Sequence, residues 1–337
     1  MNVTQAMFDA VAKATEPEAL PFPYNKSTFC NYEPIEKRID HAKVLIVNDL
    51  LRYESDCSEL AFSDWSGLLK SKLEFERRVS SMACNNIARN VIRLVKNPNT
   101  MTVHLSEVAN AAEQFRPDAI VLSGTFADFD YYNPQHIHAF GDFIRETKIP
   151  VLAICGAHQL VALSFGARLK TLDDLELSAK RTNRIVEYQY RFIKITDKGD
   201  PIFEGIDDTK SGVWQDYTKE DDILRVWQNH GVQVDGLPAG FKLLATSYLC
   251  KNQMMVKQAD GQLIYCVQFH LEKSFEDWST NPTRWEHPNE SRDGRVLFEN
   301  FLKLALRHKT YTGLDSGVAD GLDNRDFQAV FSNSAEV

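Results

Sequence analysis

At 337 residues the chain has room for about two domains of roughly 150 residues, or for one elaborated α/β domain. With 43% hydrophobic and 25% charged residues, and no apolar run near the ~20 residues of a membrane helix, it reads as a soluble globular protein without a membrane span. Lys and Arg number 38 against 47 Asp and Glu, and the net charge of -9 repels a phosphate backbone, so nucleic acid is not an expected partner.

Residues 1–40 read as an appended arm, with a short amphipathic stretch from Met7 to Ala14 followed by Pro21, Pro23 and Pro34, which resist a long helix. KVLIVND, Lys43 to Asp49, is a continuous apolar run of the kind buried on both faces of a parallel sheet. From Cys57 to Lys96 apolar residues recur at helical spacing and predict one or two long helices, which NPN at 97–99 ends. MTVHL then reads as a strand, SEVANAAEQF as a helix, and DAIVLSG, Asp118 to Gly124, as a strand ending in small residues. A helix from Gln135 to Thr147 and the strand IPVLAI, Ile149 to Ile154, continue the alternation, which argues for a parallel sheet covered by helices.

Beyond Leu172 the pattern shifts to shorter alternating runs, RIVEYQYRFIKIT, ILRVWQNH, FKLLATSYLC, MMVKQA and LIYCVQFH, which predict mixed or antiparallel additions. Arg295 to Lys309 carries an i, i+3, i+4 apolar face and reads as the last helix. The predicted organisation is thus an arm over 1–40, one domain over 41–310 and a loose tail over 311–337. Six cysteines without a CxxC pair or dense spacing, and an amino terminus with no basic start or apolar stretch, predict a reducing, cytoplasmic setting.

The informative junction is PVLAICGAHQL, Pro150 to Leu160, where an apolar strand meets a helix with Cys155 between them. A sharp strand-to-helix turn lifts the central side chain clear of the sheet, and the positive end of the helix favours a thiolate there. The flanks must be small, and Ala153 and Ala157 stand two positions to either side. A buried core cysteine is the alternative reading of the junction alone. In YCVQFHLE, Tyr265 to Glu272, the i, i+2 spacing points His270 and Glu272 the same way just past a strand. His270 could take the thiol proton while Glu272 holds the imidazole.

With these residues in view, the chain from Lys43 to His308 resembles the class I glutamine amidotransferases, whose glutaminase domain uses a Cys-His-Glu triad. The family's G-I-C-x-G-x-Q reads here A-I-C-G-A-H-Q, and its G-x-Q-F-H-P-E reads C-V-Q-F-H-L-E. VWQNHGVQVDGLPAGFKLLAT resembles the segment before the last strands in the GMP synthetase and carbamoyl-phosphate synthetase glutaminases, and VLSGTFADFD is similar to the L-S-G-G-P oxyanion strand. Ala153 and Ala157 replace two glycines, Thr125 and Cys266 replace one each, and Leu271 replaces a proline.

The resemblance implies an α/β fold, a three-layer sandwich around a mostly parallel central sheet. It implies Cys155 as nucleophile, His270 as base and then acid, and Glu272 as orienter. The backbone N–H of Gly156, with that of Gly124 or Thr125, would form the oxyanion hole, and Gln159, Asn229, Gly231 and Val232 fall at substrate-contacting positions. It implies glutamine or a γ-glutamyl small molecule as substrate, no cofactor and no metal. Three functions follow: delivery of ammonia to a synthetase subunit as partner, a free-standing γ-glutamyl amide hydrolase or transferase, or a catalytically silent binding subunit. The segment 274–291, with Trp278, Arg284 and Trp285, reads as a substrate lid, a partner surface or a packed loop. HIH at 136–138 reads as a solvated helix face, because no Cys or carboxylate falls at metal spacing around it.

Overall fold

The computed structural model describes residues 36–177, 183–206, 222–273 and 292–312. The readings of the arm before residue 36, of the 274–291 segment and of the tail beyond residue 312 lie outside these residues.

Strands β1 (Ile39–Asn48), β3 (Ala119–Leu122), β4 (Val151–Ile154) and β11 (Ile264–Val267) are apolar runs that bury both faces; β3, β4 and β11 are buried at every position. That is what a strand covered by helices on both sides requires. A nine-stranded sheet runs in the order β2-β1-β3-β4-β11-β10-β9-β6-β7, where β2 is Val95–His104, β6 Glu187–Ile195, β7 Ile223–His230, β9 Lys242–Thr246 and β10 Met254–Lys257. The pairs from β2 across to β11 are parallel. The pairs from β11 across to β7 are antiparallel, the addition that the alternating C-terminal patterning predicts. A separate two-stranded antiparallel sheet joins β5 (Arg168–Thr171) to β8 (Val232–Asp235).

One face of the sheet is covered by α2 (Leu69–Leu94) and α6 (Arg292–Thr312), whose Ile87, Val91, Leu297 and Phe301 pack on Val44, Val121 and Tyr265. The other is covered by α1 (Glu59–Asp64), α3 (Val108–Phe115), α4 (Pro134–Glu146) and α5 (Gly156–Ser164), which bring Ala61, Ala112, Phe140 and Leu160 onto Leu45, Ile120 and Ala153. The result is a three-layer α/β sandwich. Among the described residues no helix is long and apolar enough to cross a membrane.

One boundary departs from the sequence reading. NPN does not separate helix from strand: α2 ends at Leu94 and β2 begins at Val95, so Asn97, Pro98 and Asn99 lie within the strand. Among the described residues β2 is the sheet edge and pairs only with β1, and an edge strand tolerates a proline that has no N–H to donate. The long apolar pattern before it resolves into α1 and α2.

Candidate active site

Cys155 stands between β4 and α5 with φ 52° and ψ -107°, a backbone conformation that residues bearing a Cβ rarely adopt. Its N–H donates to Val267 O at 2.7 Å, which ties the turn to the end of β11. Because β4 and β11 are parallel neighbours, the chain leaving β11 arrives beside the thiol three residues later. That is where His270 and Glu272 lie. The expectation of a side chain lifted clear of the sheet holds in direction only, since Cys155 is 5% exposed and sits at the floor of a cleft.

His270 Nδ1 is 2.7 Å from Glu272 Oε1. Burial pushes the imidazole down, but the negative charges of Glu272 and Cys155 and the hydrogen bonds to both outweigh it and raise its pKa to about 10. For Glu272 burial likewise raises the carboxyl, and the adjacent His270 overrides it and holds the group below the usual carboxylate range. The arrangement favours a charged imidazolium beside the cysteine sulfur. Two other histidines are near. His158 is fully buried, and desolvation drives it down to about 3. His230 has Nδ1 3.0 Å from Val232 O and Nε2 3.0 Å from Glu187 Oε2, the latter an ion-pair contact without hydrogen-bond geometry.

Two glycines set how closely the segments approach. A Cβ on Gly124 would lie 3.3 Å from both Cys155 Cβ and His270 Cε1. One on Gly156 would fall 1.9 Å from Thr125 Oγ1 and 2.5 Å from the Thr125 backbone nitrogen. Only glycine fits at 156. Thr125 therefore packs directly against the turn at Gly156, and both residues line the cleft.

Of the four residues expected to touch substrate, all line the cleft, whose volume is about 440 Å³. Gln159 spends its amide hydrogens on Val232 O at 3.0 Å and Gln268 Oε1 at 3.1 Å, and Gln268 Nε2 in turn lies 3.7 Å from Cys155 Sγ. Asn229 is exposed, with its carbonyl 3.9 Å from the thiol; Gly231 adjoins Ile185 O, and Val232 is 9% exposed. Arg184 and Asp128 form a two-pronged ion pair on the cleft wall at 2.7 and 2.6 Å.

Several supporting residues escape the sequence reading. Asn90 of α2 donates to Glu272 O at 2.8 Å, and His270 N donates to Trp227 O at 2.8 Å, fixing the segment that carries His270 and Glu272. A Cβ on Gly294 would meet Leu271 O at 2.9 Å, so α6 starts directly against that segment. Of these supports only Gln268 had a signal, since it stands within the Q-F-H run. His136 requires a correction: it is not on a solvated face but points, 25% exposed, at Asp56 from far back in the chain.

A model of the family described as glutamine amidotransferase class-I matches residues 80–287. GMP synthase (glutamine-hydrolyzing) of Burkholderia vietnamiensis is 30% identical over 176 residues, which cover 50% of this chain and 28% of that protein. The chain thus aligns with little more than a quarter of that relative's length. One subunit of the glutamine-hydrolyzing GMP synthase of Thermococcus kodakarensis is 33% identical over 157 residues, covering 47% of this chain and 67% of that one. Among solved structures, a GMP synthase subunit from Thermoplasma acidophilum superposes with a TM-score of 0.50 at 19% identity, over 81% of this chain and 98% of that chain, a likeness of fold.

Proposed function

The chain belongs to the class-I glutamine amidotransferase family, and on that premise we propose that it cleaves a γ-carboxamide through a thioester on Cys155 and passes the ammonia to a partner synthetase. The observation that carries this reading is the 2.7 Å hydrogen bond from His270 to Glu272 beside the cysteine of the strand-to-helix turn. The Cys155 thiolate attacks the amide carbon, and the oxyanion accepts hydrogen bonds from the backbone N–H of Gly156 and of Gly124 or Thr125. The His270 imidazolium gives its proton to the leaving nitrogen, which departs as ammonia. Water then attacks the thioester while His270 takes its proton, and glutamate and the thiol are restored. Glu272 holds the ring for both transfers; Gln159, Asn229, Gly231 and Val232 border the substrate. The partner is inferred from the relative that is named as one subunit of a GMP synthase. In this reading residues 1–40 are an arm and 311–337 a tail on a domain spanning 41–310.

A second reading, a free-standing hydrolase or transferase of γ-glutamyl amides, draws support from the cleft wall. Phe75, Val79 and Met82 form one stripe of α2, and Phe126 meets Phe75 edge-on at 4.8 Å. Phe75, Met82 and Phe126 are 46%, 52% and 58% exposed, an apolar surface that glutamine itself has no group to cover. A silent binding subunit would need none of the hydrogen bonds that hold His270.

The test is to incubate the purified chain with glutamine and with γ-glutamyl amides of increasing apolar size, following ammonia, amine and glutamate. Glutamine turnover that rises with a co-purifying synthetase supports the first reading, and preference for bulky amides the second. No turnover of any of them, with or without the synthetase, overturns both.

A further inference from the structure

At the same end of the sheet, away from the cysteine, three more side chains converge. Asp56 lies in the 3-10 turn Glu54–Asp56 after β1, His104 closes β2, and His136 sits in the first turn of α4. Asp56 and His104 have side chains only 1% exposed, while His136 is open enough for water to reach. His104 Nε2 is 3.8 Å from Asp56 Oδ2, His136 Nδ1 is 3.8 Å from Asp56 Oδ1, and one ligand atom from each residue lies within 4.8 Å of the others.

The two imidazole nitrogens that face the carboxylate are buried and have no hydrogen-bond partner. Such groups are costly unless something satisfies them. The carboxylate divides its duties. Oδ2 accepts from Arg52 N at 2.9 Å, Arg52 Nε at 3.2 Å and Tyr53 N at 3.2 Å, whereas Oδ1 has only a 3.4 Å contact from Arg52 Nη2. Arg52 is itself shared with Glu107, at 3.4 Å. On the far side of the His104 ring, Nδ1 is 2.9 Å from Ser106 Oγ and 3.3 Å from Ser106 N. Ser106 N donates to Nδ1, which leaves the ring proton on Nε2 facing the carboxylate; moved to Nδ1, that proton would be accepted by Ser106 Oγ and Nε2 would offer a lone pair. A partner for the second ring nitrogen is what metal-ligating histidines have.

We propose that Asp56, His104 and His136 bind a divalent transition ion of the zinc class. Two imidazoles and one carboxylate suit zinc, whereas magnesium and calcium prefer oxygen-only sets. Donors about 2.0–2.1 Å from a tetrahedral ion stand about 3.3 Å apart, and one ligand atom from each residue lies within 4.8 Å of the others, so closure draws any pair together by at most about 1.5 Å. The fourth position faces solvent through the His136 side. The ion would fasten three connections that the backbone already draws together, since Asn133 N donates to Asp56 O at 2.8 Å and Asn133 Nδ2 to Ser55 O at 3.0 Å. None of this depends on the cysteine chemistry.

Zinc also binds a cysteine–histidine pair, so the test starts from the Cys155→Ser chain, stripped with a chelator and titrated with Zn²⁺ against a chromogenic competitor. One equivalent is expected to bind, and His136→Ala is expected to weaken it by about a hundredfold, at least as much as losing an outer-shell partner of a ligand. Zn²⁺ should raise the Tm of the parent and not of His136→Ala. His136 is partly exposed, so this variant folds without the ion, which an unchanged metal-free Tm verifies; His104→Gln is a second probe. Failure of the Cys155→Ser chain to bind zinc stoichiometrically, or binding that survives His136→Ala, overturns the proposal.

Discussion

Among the described residues, two of the histidine–carboxylate clusters are built to opposite rules. In one, His270 Nδ1 and Glu272 Oε1 are 2.7 Å apart and the ring is locked. In the other, the closest nitrogen–oxygen separations among Asp56, His104 and His136 are 3.8 Å and the facing nitrogens are left over. A short bond between base and carboxylate orients a ring for proton transfer and leaves no room between the partners. A wider, unsatisfied gap cannot orient anything but can admit an ion.

The contrast breaks most sharply at the sulfur. Cys155→Ser should lower amide cleavage by about 10⁴-fold or more with the fold intact by circular dichroism; a folded variant near the parental rate would remove the nucleophile assignment. His270→Ala should cost about 10²- to 10⁴-fold in kcat, the range of a general base, and His136→Ala nothing. If the second variant cost as much as the first, the two clusters would not be separate devices. Gly156→Ala sharpens the geometry. Its Cβ would strike Thr125, so an oxyanion donor should be displaced and kcat should fall by about 10²-fold or more, with KM far less affected.

Glu272→Gln tests the electrostatics through pH. His270 is raised to about 10, so the stabilisation from its charged form is complete below about 6.5 and is lost as pH climbs through the raised value. Without the carboxylate charge the alkaline limb of kcat/KM should move toward neutrality; an unmoved limb would mean that Glu272 does not hold the proton there. The smallest effect concerns Glu76, between the two clusters. Burial raises it from 4.5 to about 7, against hydrogen bonds from the backbone N–H of Leu51 and Ala127. The folded state therefore binds its proton more tightly, and stability falls as pH rises from about 4.5 to about 7. Glu76→Gln should raise Tm at pH 8, by no more than the equivalent of about 3 kcal/mol, and much less at pH 5. Equal shifts at both pH values would assign the effect to packing.

The parallel half of the sheet was legible because strands buried on both faces, β3, β4 and the Val44–Val47 stretch of β1, must be apolar, and the turn at Cys155 needs small neighbours that the sequence displays. His270 and Glu272 were legible as neighbours in one strand end. What the sequence hid was pairing at a distance. Asn90 reaches Glu272 across 182 positions, and Asp56, His104 and His136 come from three connections, so no local spacing announces a ligand set. β2 was misjudged at Pro98 because whether a proline breaks a strand depends on whether that strand is an edge, a property of the finished sheet.

That sheet has a consequence for how the chain is made. β11 occupies the slot between β4 and β10, yet among the described residues it is the last strand to leave the ribosome. Until residue 267 emerges, the apolar edge of β4 has no partner, and an unpaired strand edge of this kind invites association between nascent chains. The same delay keeps His270 from Cys155 throughout synthesis. The proposed amide-cleaving site would thus be complete only when nearly the whole domain exists, and a ribosome stalled before β11 would display Cys155 without His270.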